Sequence, residues 1–82
     1  MTKEEIFNSL VNNLSEMFEI DRQSISMKSN LYEDLDLDSI DAIDIVVKIK
    51  KELKIELMPE QFKQVRTVED VVNVIFDIVK DR

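Results

Sequence analysis

The stretch DLDLDSIDAIDIV, Asp34–Val46, places five aspartates around a single serine, Ser39, within an otherwise aliphatic frame. Isoleucines and valines follow the serine at intervals of three and four residues, the spacing of one face of a helix. Asp38 stands just before this pattern, and Asp41 stands three residues after Asp38. This pair predicts a capped helix start. We expect a helix from Ser39 or the next residue to about Leu53, whose buried side comprises Ile40, Ile43, Val46, Val47, Ile49 and Leu53.

Three further segments carry the apolar spacing of helices. Thr2 and Glu5 form a capping-box pattern before a helix over residues 3–18. Pro59 suits the first turn of a short helix that ends near residue 64. Thr67 and Asp70 repeat the cap pattern before a last helix, whose inward stripe comprises Val68, Val71, Val72, Ile75, Phe76 and Val79.

Residues 19–38 break the helical periodicity, and Asp, Ser and Asn recur in them, as in a long ordered loop. Four aliphatic residues are expected to hold this loop on the core: Ile20, Ile25, Leu31 and Leu35. The predicted fold is therefore all-α, a small four-helix bundle of three longer helices and one short helix, with a long first loop. The absence of Gly and the single Pro agree with this, because tight hairpin turns favour Gly.

Composition limits the possible functions of these 82 residues, which we expect to form one domain. A net charge of −7 disfavours nucleic-acid binding and suits a protein partner with a basic surface. The chain has neither Cys nor His, which removes thiolate chemistry and the usual general base. No apolar run approaches a membrane span, and MTKEEIFNSL lacks the features of a signal peptide, so we expect a cytoplasmic protein.

Four interpretations of the aspartate-rich stretch compete. An EF-hand loop that starts at Asp34 would need Gly at its sixth position and Glu at its twelfth, where Ser39 and Ile45 stand, so a calcium site is disfavoured. A catalytic serine would need an adjacent base, and none is evident. A capped, solvated helix start explains Asp38 and Asp41 but not the serine. Alternatively, Ser39 is an exposed attachment point that tolerates a phosphodiester at the helix N-terminus.

The sequence resembles the acyl carrier protein family, in which D-S-[LI]-D opens the second helix. Here that motif is DSID, residues 38–41, and the later segments ELKIEL and TVEDVV follow it in the family's order. The resemblance spans nearly the whole chain and implies one acyl carrier domain over residues 1–82. It also implies that the protein is not an enzyme.

The resemblance further implies that Ser39 carries 4′-phosphopantetheine, transferred from coenzyme A by a phosphopantetheinyl transferase. Acyl groups would be held on the arm as thioesters, and ketosynthases and other acyl-processing enzymes would act on them. We expect the carrier to be a monomer. Residues that match the family's partner-docking positions are Asp36, Asp38, Ile40, Asp41 and Asp44. Residues that match the acyl-cavity positions are Ile43, Val46, Leu57, Phe62, Val65, Val68 and Val72, although core packing predicts the same pattern.

Two departures from the family pattern predict a specialised pathway, such as a type II polyketide or aryl-polyene-like system. Lys48, Lys50 and Lys51 occupy a helix half that is usually acidic in fatty-acid carriers, and Phe62 stands where many members have a small residue. Two other functions stay open at this point. One is an unmodified acidic helical adaptor for a basic protein, and the other is a peptidyl carrier of a nonribosomal pathway.

Overall fold

A computed structural model describes residues 1–80, which form three α-helices: α1, Lys3–Phe18; α2, Ser39–Leu53; and α3, Val68–Val79. Two 3₁₀ turns, Arg22–Ser24 and Pro59–Phe62, lie in the connections. Within residues 1–80, strand-like pairing is limited to one antiparallel bridge between Asn30 and Thr67. The all-α prediction is confirmed. The predicted short helix is present as the 3₁₀ helix Pro59–Phe62, which ends two residues before the predicted end.

Each α-helix begins with the predicted reciprocal cap. In α1, the Thr2 hydroxyl accepts from the Glu5 N–H at 3.1 Å, and Glu5 accepts from the Thr2 N–H at 2.9 Å. In α3, the Asp70 carboxylate accepts from the backbone N–H groups of Arg66 and Thr67 at 3.0 and 3.1 Å. These bonds favour the charged carboxylate, so they hold the pKa of Asp70 below its ordinary value of 3.8. The starts of the helices therefore follow from local sequence.

The hydrophobic core lies between α1 and the two other helices, and both pack against α1. Ile6, Leu10 and Leu14 of α1 are fully buried and follow one another at intervals of four residues along one face of the helix. Ile75 and its neighbouring valines cover them from α3. A buried amide, that of Asn13, donates to the Ser9 carbonyl at 3.0 Å, so its burial leaves no donor without a partner.

The long loop is held against the start of α3 by backbone hydrogen bonds. The Leu31 N–H donates to the Arg66 carbonyl at 2.8 Å, and the Val68 N–H donates to the Ser29 carbonyl at 3.0 Å. The loop also buries aliphatic residues, namely Ile25, Leu31, Leu35 and Leu37, whereas Ile20 is half-buried. Backbone pairing and burial together fix the loop, and hence the position at which α2 begins.

The predicted buried side of α2 was partly wrong. Ile40, Ile43 and Val47 are 68, 51 and 44% exposed, whereas Ile45 is buried with Val46 and Ile49. Apolar residues occupy two sides of α2, and only the side towards α1 can be covered by that helix. The other side is left as an exposed apolar stripe. None of the helices within residues 1–80 is both long and apolar enough to cross a membrane.

Candidate functional site

Ser39 is the first residue of α2, and its side chain is exposed. Within residues 1–80 its hydroxyl has no hydrogen-bond partner. The first N–H groups of a helix have no partner within it, and their dipole favours negative charge at this end. The site therefore presents a free hydroxyl at a position that suits a phosphodiester.

Carboxylates around Ser39 fall into two groups. Asp38 and Asp41 cap α2, and Asp34 accepts from the Asn30 N–H at 2.7 Å, which tightens the loop before it. Asp36 and Asp44 are exposed, and their side chains make no hydrogen bond or ion pair within residues 1–80. Half of the predicted docking acids are therefore part of the local structure, and the other half are available to a partner.

Asp36 adopts a left-handed backbone conformation, with φ of 56°. This conformation is disfavoured for residues with a β-carbon, although aspartate tolerates it better than most. The residue makes the turn between the buried side chains of Leu35 and Leu37, just before α2. Gly adopts a positive φ without this cost, so the turn at Asp36 favours a residue without a β-carbon.

An open groove of about 390 Å³ begins at Ser39 and runs along α2. Its second wall is the segment that contains Leu57, Phe62 and Lys63. The full lining comprises Tyr32, Ser39, Ala42, Ile43, Val46, Val47, Lys50, Leu57, Phe62 and Lys63. This volume lies in the range of ligand sites, about 300–1,000 Å³, and most of its wall is apolar.

A second cavity lies deeper and is far smaller, about 20 Å³, which is room for about one water molecule. Phe62, Val46, Ala42 and Tyr32 border both spaces, so they separate the groove from the interior. The interior therefore has little free volume, and the larger space lies at the surface of α2.

The residues predicted for the acyl cavity divide between these spaces. Ile43, Val46, Leu57 and Phe62 line the groove, and Val65 lines only the small cavity. Val68 and Val72 are fully buried and line neither. Sequence reasoning missed Tyr32, Ala42, Val47, Lys50 and Lys63. The spacing from Ser39 contained a signal for three of these, because Ala42, Val47 and Lys50 lie 3, 8 and 11 residues after it on one helical face.

The arrangement around Ser39 favours modification of the serine over catalysis by it. Within the described chain no group of three or more acidic residues is placed to hold a metal ion. The Ser39 hydroxyl has no hydrogen bond to a base that could activate it. What the surface offers is an exposed nucleophilic oxygen, acidic side chains around it and an apolar groove beside it.

Comparison with known proteins agrees with this picture. Residues 8–75 match the family model described as a phosphopantetheine attachment site. The chain is 40% identical over 75 residues to acyl carrier protein 2 of Ralstonia nicotianae, which covers 92% of this chain and 93% of that protein. It is 37% identical over 75 residues to an acyl carrier protein of Coprothermobacter proteolyticus, with 92% of each chain covered.

A solved structure shows the same fold. The crystal structure of an acyl carrier protein from Thermotoga maritima superposes with a TM-score of 0.84, at 22% sequence identity. The match covers 96% of this chain and 92% of the other.

Proposed function

The chain belongs to the acyl carrier protein family, and from that premise we propose that the Ser39 hydroxyl is the point at which its 4′-phosphopantetheine is attached. The protein is a carrier and not an enzyme. When bound, the arm supplies the thiol that holds acyl groups as thioesters, a group that this Cys-free chain lacks. The observation that carries the proposal is the exposed, unbonded hydroxyl at the start of α2 and at the rim of the groove.

The residues around Ser39 fit the arm. Asp38 satisfies the N–H of Asp41 without using the serine hydroxyl, so the cap survives a substitution on that oxygen. Because Ser39 and Ile40 are both exposed, a phosphodiester there needs no rearrangement of the core. The DSID pattern therefore both starts the helix and leaves its serine accessible.

Acyl-processing enzymes are the partners of this family, and we propose that they dock on the start of α2. Asp36 and Asp44 supply unpaired negative charge, and Ile40 supplies exposed apolar surface beside Ser39. Asp38 and Asp41 add charge while they hold the helix start. A phosphopantetheinyl transferase or a ketosynthase with a basic surface would be steered to Ser39 by this field.

The groove is the proposed place for the acyl chain. Ile43, Val46, Leu57 and Phe62 line it, and it opens at the residue that would hold the arm. Contacts of the acyl chain with Val65, Val68 and Val72 would require the core to expand, because the interior cavity is only about 20 Å³. The side of α2 that was predicted to be buried is therefore proposed to receive cargo and partners.

A specialised pathway is the proposed setting. Lys48, Lys50 and Lys51 are exposed in the second half of α2, so partners that require an acidic surface there would be disfavoured. If the housekeeping fatty-acid ketosynthase elongated chains on this carrier at full efficiency, the specialised setting would be wrong. Monomeric state and cytoplasmic location stay predictions.

Intact mass tests the attachment directly. The wild-type chain, Ser39→Ala and Ser24→Ala are each incubated with coenzyme A and a broad-specificity phosphopantetheinyl transferase. Ser24 is the control because it is another exposed serine close to an acidic residue, and its hydroxyl donates to the Asp21 backbone carbonyl at 2.7 Å. We expect one phosphopantetheine on the wild type and Ser24→Ala, and none on Ser39→Ala. An equal increase in mass of all three proteins would overturn the proposal.

A further inference from the structure

Two lysines lie in the wall of the groove, and no acidic residue of the described range 1–80 lines it with them. Lys50 comes from α2, and Lys63 follows the 3₁₀ turn on the opposite wall. The chain holds 18 acidic residues against 11 basic ones. A ligand-sized groove with two cations and no carboxylate in its lining is therefore unlike the composition of the chain as a whole.

The charges of these lysines are not neutralised by any residue in the part of the chain that the structure describes. Within residues 1–80 neither Lys50 nor Lys63 lies within ion-pair distance of a carboxylate, and neither makes a side-chain hydrogen bond. Both side chains belong to exposed residues. Their aliphatic stems can cover apolar wall while their ammonium groups stay available to an anion.

The phosphate of the arm is too far along the helix to be that anion. Lys50 follows Ser39 by 11 residues, or about 16 Å along the axis of α2. Eleven residues are close to three full turns, so Lys50 lies on the same face as Ser39 but at the other end of the groove. Because the arm is uncharged beyond its phosphate, the acyl group is the only part of a loaded arm that could present an anion to Lys50.

We propose that the groove selects acyl groups that end in a carboxylate, which Lys50 and Lys63 bind while Ile43, Val46 and Phe62 contact the carbon chain. This inference rests on the proposed attachment of the arm at Ser39. The apolar wall accounts for the chain, and the unpaired ammonium groups account for the charged end.

The test uses three cargoes of equal chain length, ending in a methyl, a carboxamide or a carboxylate. A phosphopantetheinyl transferase attaches each cargo to Ser39 together with its arm, from the corresponding coenzyme A thioester. Intact mass verifies the loading. The readout is the rate of thioester cleavage by hydroxylamine, divided by the rate for the same thioester on free pantetheine. This ratio removes the intrinsic reactivity of each cargo. Shifts of the lysine side-chain ammonium signals by NMR locate the bound end.

We expect the carboxylate cargo to be protected about threefold more than either neutral cargo, the range of one or two solvent-exposed ion pairs. Lys50→Met/Lys63→Met should abolish that preference and keep the protection of the methyl cargo. Lys48→Met/Lys51→Met is the matched control, because it removes the same charge from α2 residues outside the groove. It should retain the preference.

Several results would overturn the inference. Equal protection of carboxylate and carboxamide would show that the groove does not detect charge. Equal loss of preference in the two double variants would assign the effect to net charge. Failure of Ser39 to accept any cargo would contradict the proposed attachment instead, and mass measurement separates that outcome from the others.

Discussion

Asp38 and Asp41 form a reciprocal cap at the start of α2, in which each carboxylate accepts a hydrogen bond from the other residue's backbone N–H. Asp38 Oδ1 accepts from the Asp41 N–H at 2.9 Å, and Asp41 Oδ2 accepts from the Asp38 N–H at 3.1 Å. The reciprocal cap positions Ser39 between two acids without engaging its hydroxyl. Two residues of the attachment motif therefore have a structural role as well as a proposed role in docking.

Asp38→Ala should destabilise the fold by about 1 kcal/mol, because it removes the side-chain acceptor of the cap. Asp38→Asn should retain most of that stability, since its amide oxygen can accept the same bond. Urea unfolding followed by circular dichroism measures both. Equal stability of Asp38→Ala and the wild type would contradict the role of the cap.

Asp44→Asn should slow modification of Ser39 and leave stability within about 0.5 kcal/mol of the wild type, because this exposed carboxylate has no partner within residues 1–80. We expect a lower kcat/KM for the transferase at low salt. The difference in kcat/KM from the wild type should narrow as added salt screens the interaction. Glu16→Gln removes an exposed acid from α1 and is the matched control. Equal slowing in both variants would assign the effect to net charge instead of to docking.

Asp36→Gly should stabilise the protein by about 0.5 kcal/mol, because Gly relieves the left-handed conformation at φ 56° and loses part of that gain to greater freedom when unfolded. Asp36→Ala keeps a β-carbon and removes the charge, so it separates backbone strain from electrostatics. Thermal unfolding of the three proteins gives the order. A gain from Asp36→Ala equal to that from Asp36→Gly would show that the charge, and not the backbone, is responsible.

Acid should weaken the start of α3 through Asp70. The pKa of Asp70 is lowered in the folded protein by backbone hydrogen bonds from Arg66 and Thr67, so its stabilising contribution is present above the ordinary pKa of 3.8. That contribution is lost as pH falls through the folded-state pKa. Asp70→Asn keeps an acceptor oxygen and loses only the solvent-screened charge, so it should be less stable than the wild type at pH 7 by about 0.5 kcal/mol, and the difference should shrink towards pH 2. A difference independent of pH, measured by urea unfolding at each pH, would contradict this account.

Phe62→Ala should join the groove to the interior cavity, because Phe62 borders both. We expect slower cleavage of long-chain thioesters by hydroxylamine, together with a loss of about 1–3 kcal/mol of stability for a half-buried ring. Phe7→Ala is the matched control, since Phe7 is half-buried and lies outside the groove. Slower cleavage in both variants would show that the effect does not come from the groove.

The helix starts could be predicted because their caps are local. Thr2, Asp38 and Thr67 each need only a partner three residues later, and the sequence contains all three pairs. The inward stripe of α3 could also be predicted, because Val68, Val71, Val72, Ile75 and Val79 recur at intervals of one helical face and are all buried. The D-S-I-D pattern identified the candidate site for the same reason, since its elements are adjacent in the chain.

The buried face of α2 could not be settled in this way. Ile43 and Ile45 are equally apolar, and only packing against α1 decides that Ile45 is buried. Lys63 lines the groove through the path of the chain after α2, which no spacing encodes. The hydrogen bond that assigns Asp34 to the loop depends on where Asn30 is held. These features are tertiary and required the structure.

The attachment of the arm at Ser39 is tested most directly by locating the arm after modification. Cleavage after Lys28 and Lys48 gives a peptide with two serines: Ser29, which is 7% exposed, and Ser39, which is exposed. Fragmentation of the modified peptide in the mass spectrometer distinguishes the two. We expect phosphopantetheine on Ser39 alone. Its presence on Ser29, or on a peptide from elsewhere in the chain, would contradict the assignment of the attachment site to the start of α2.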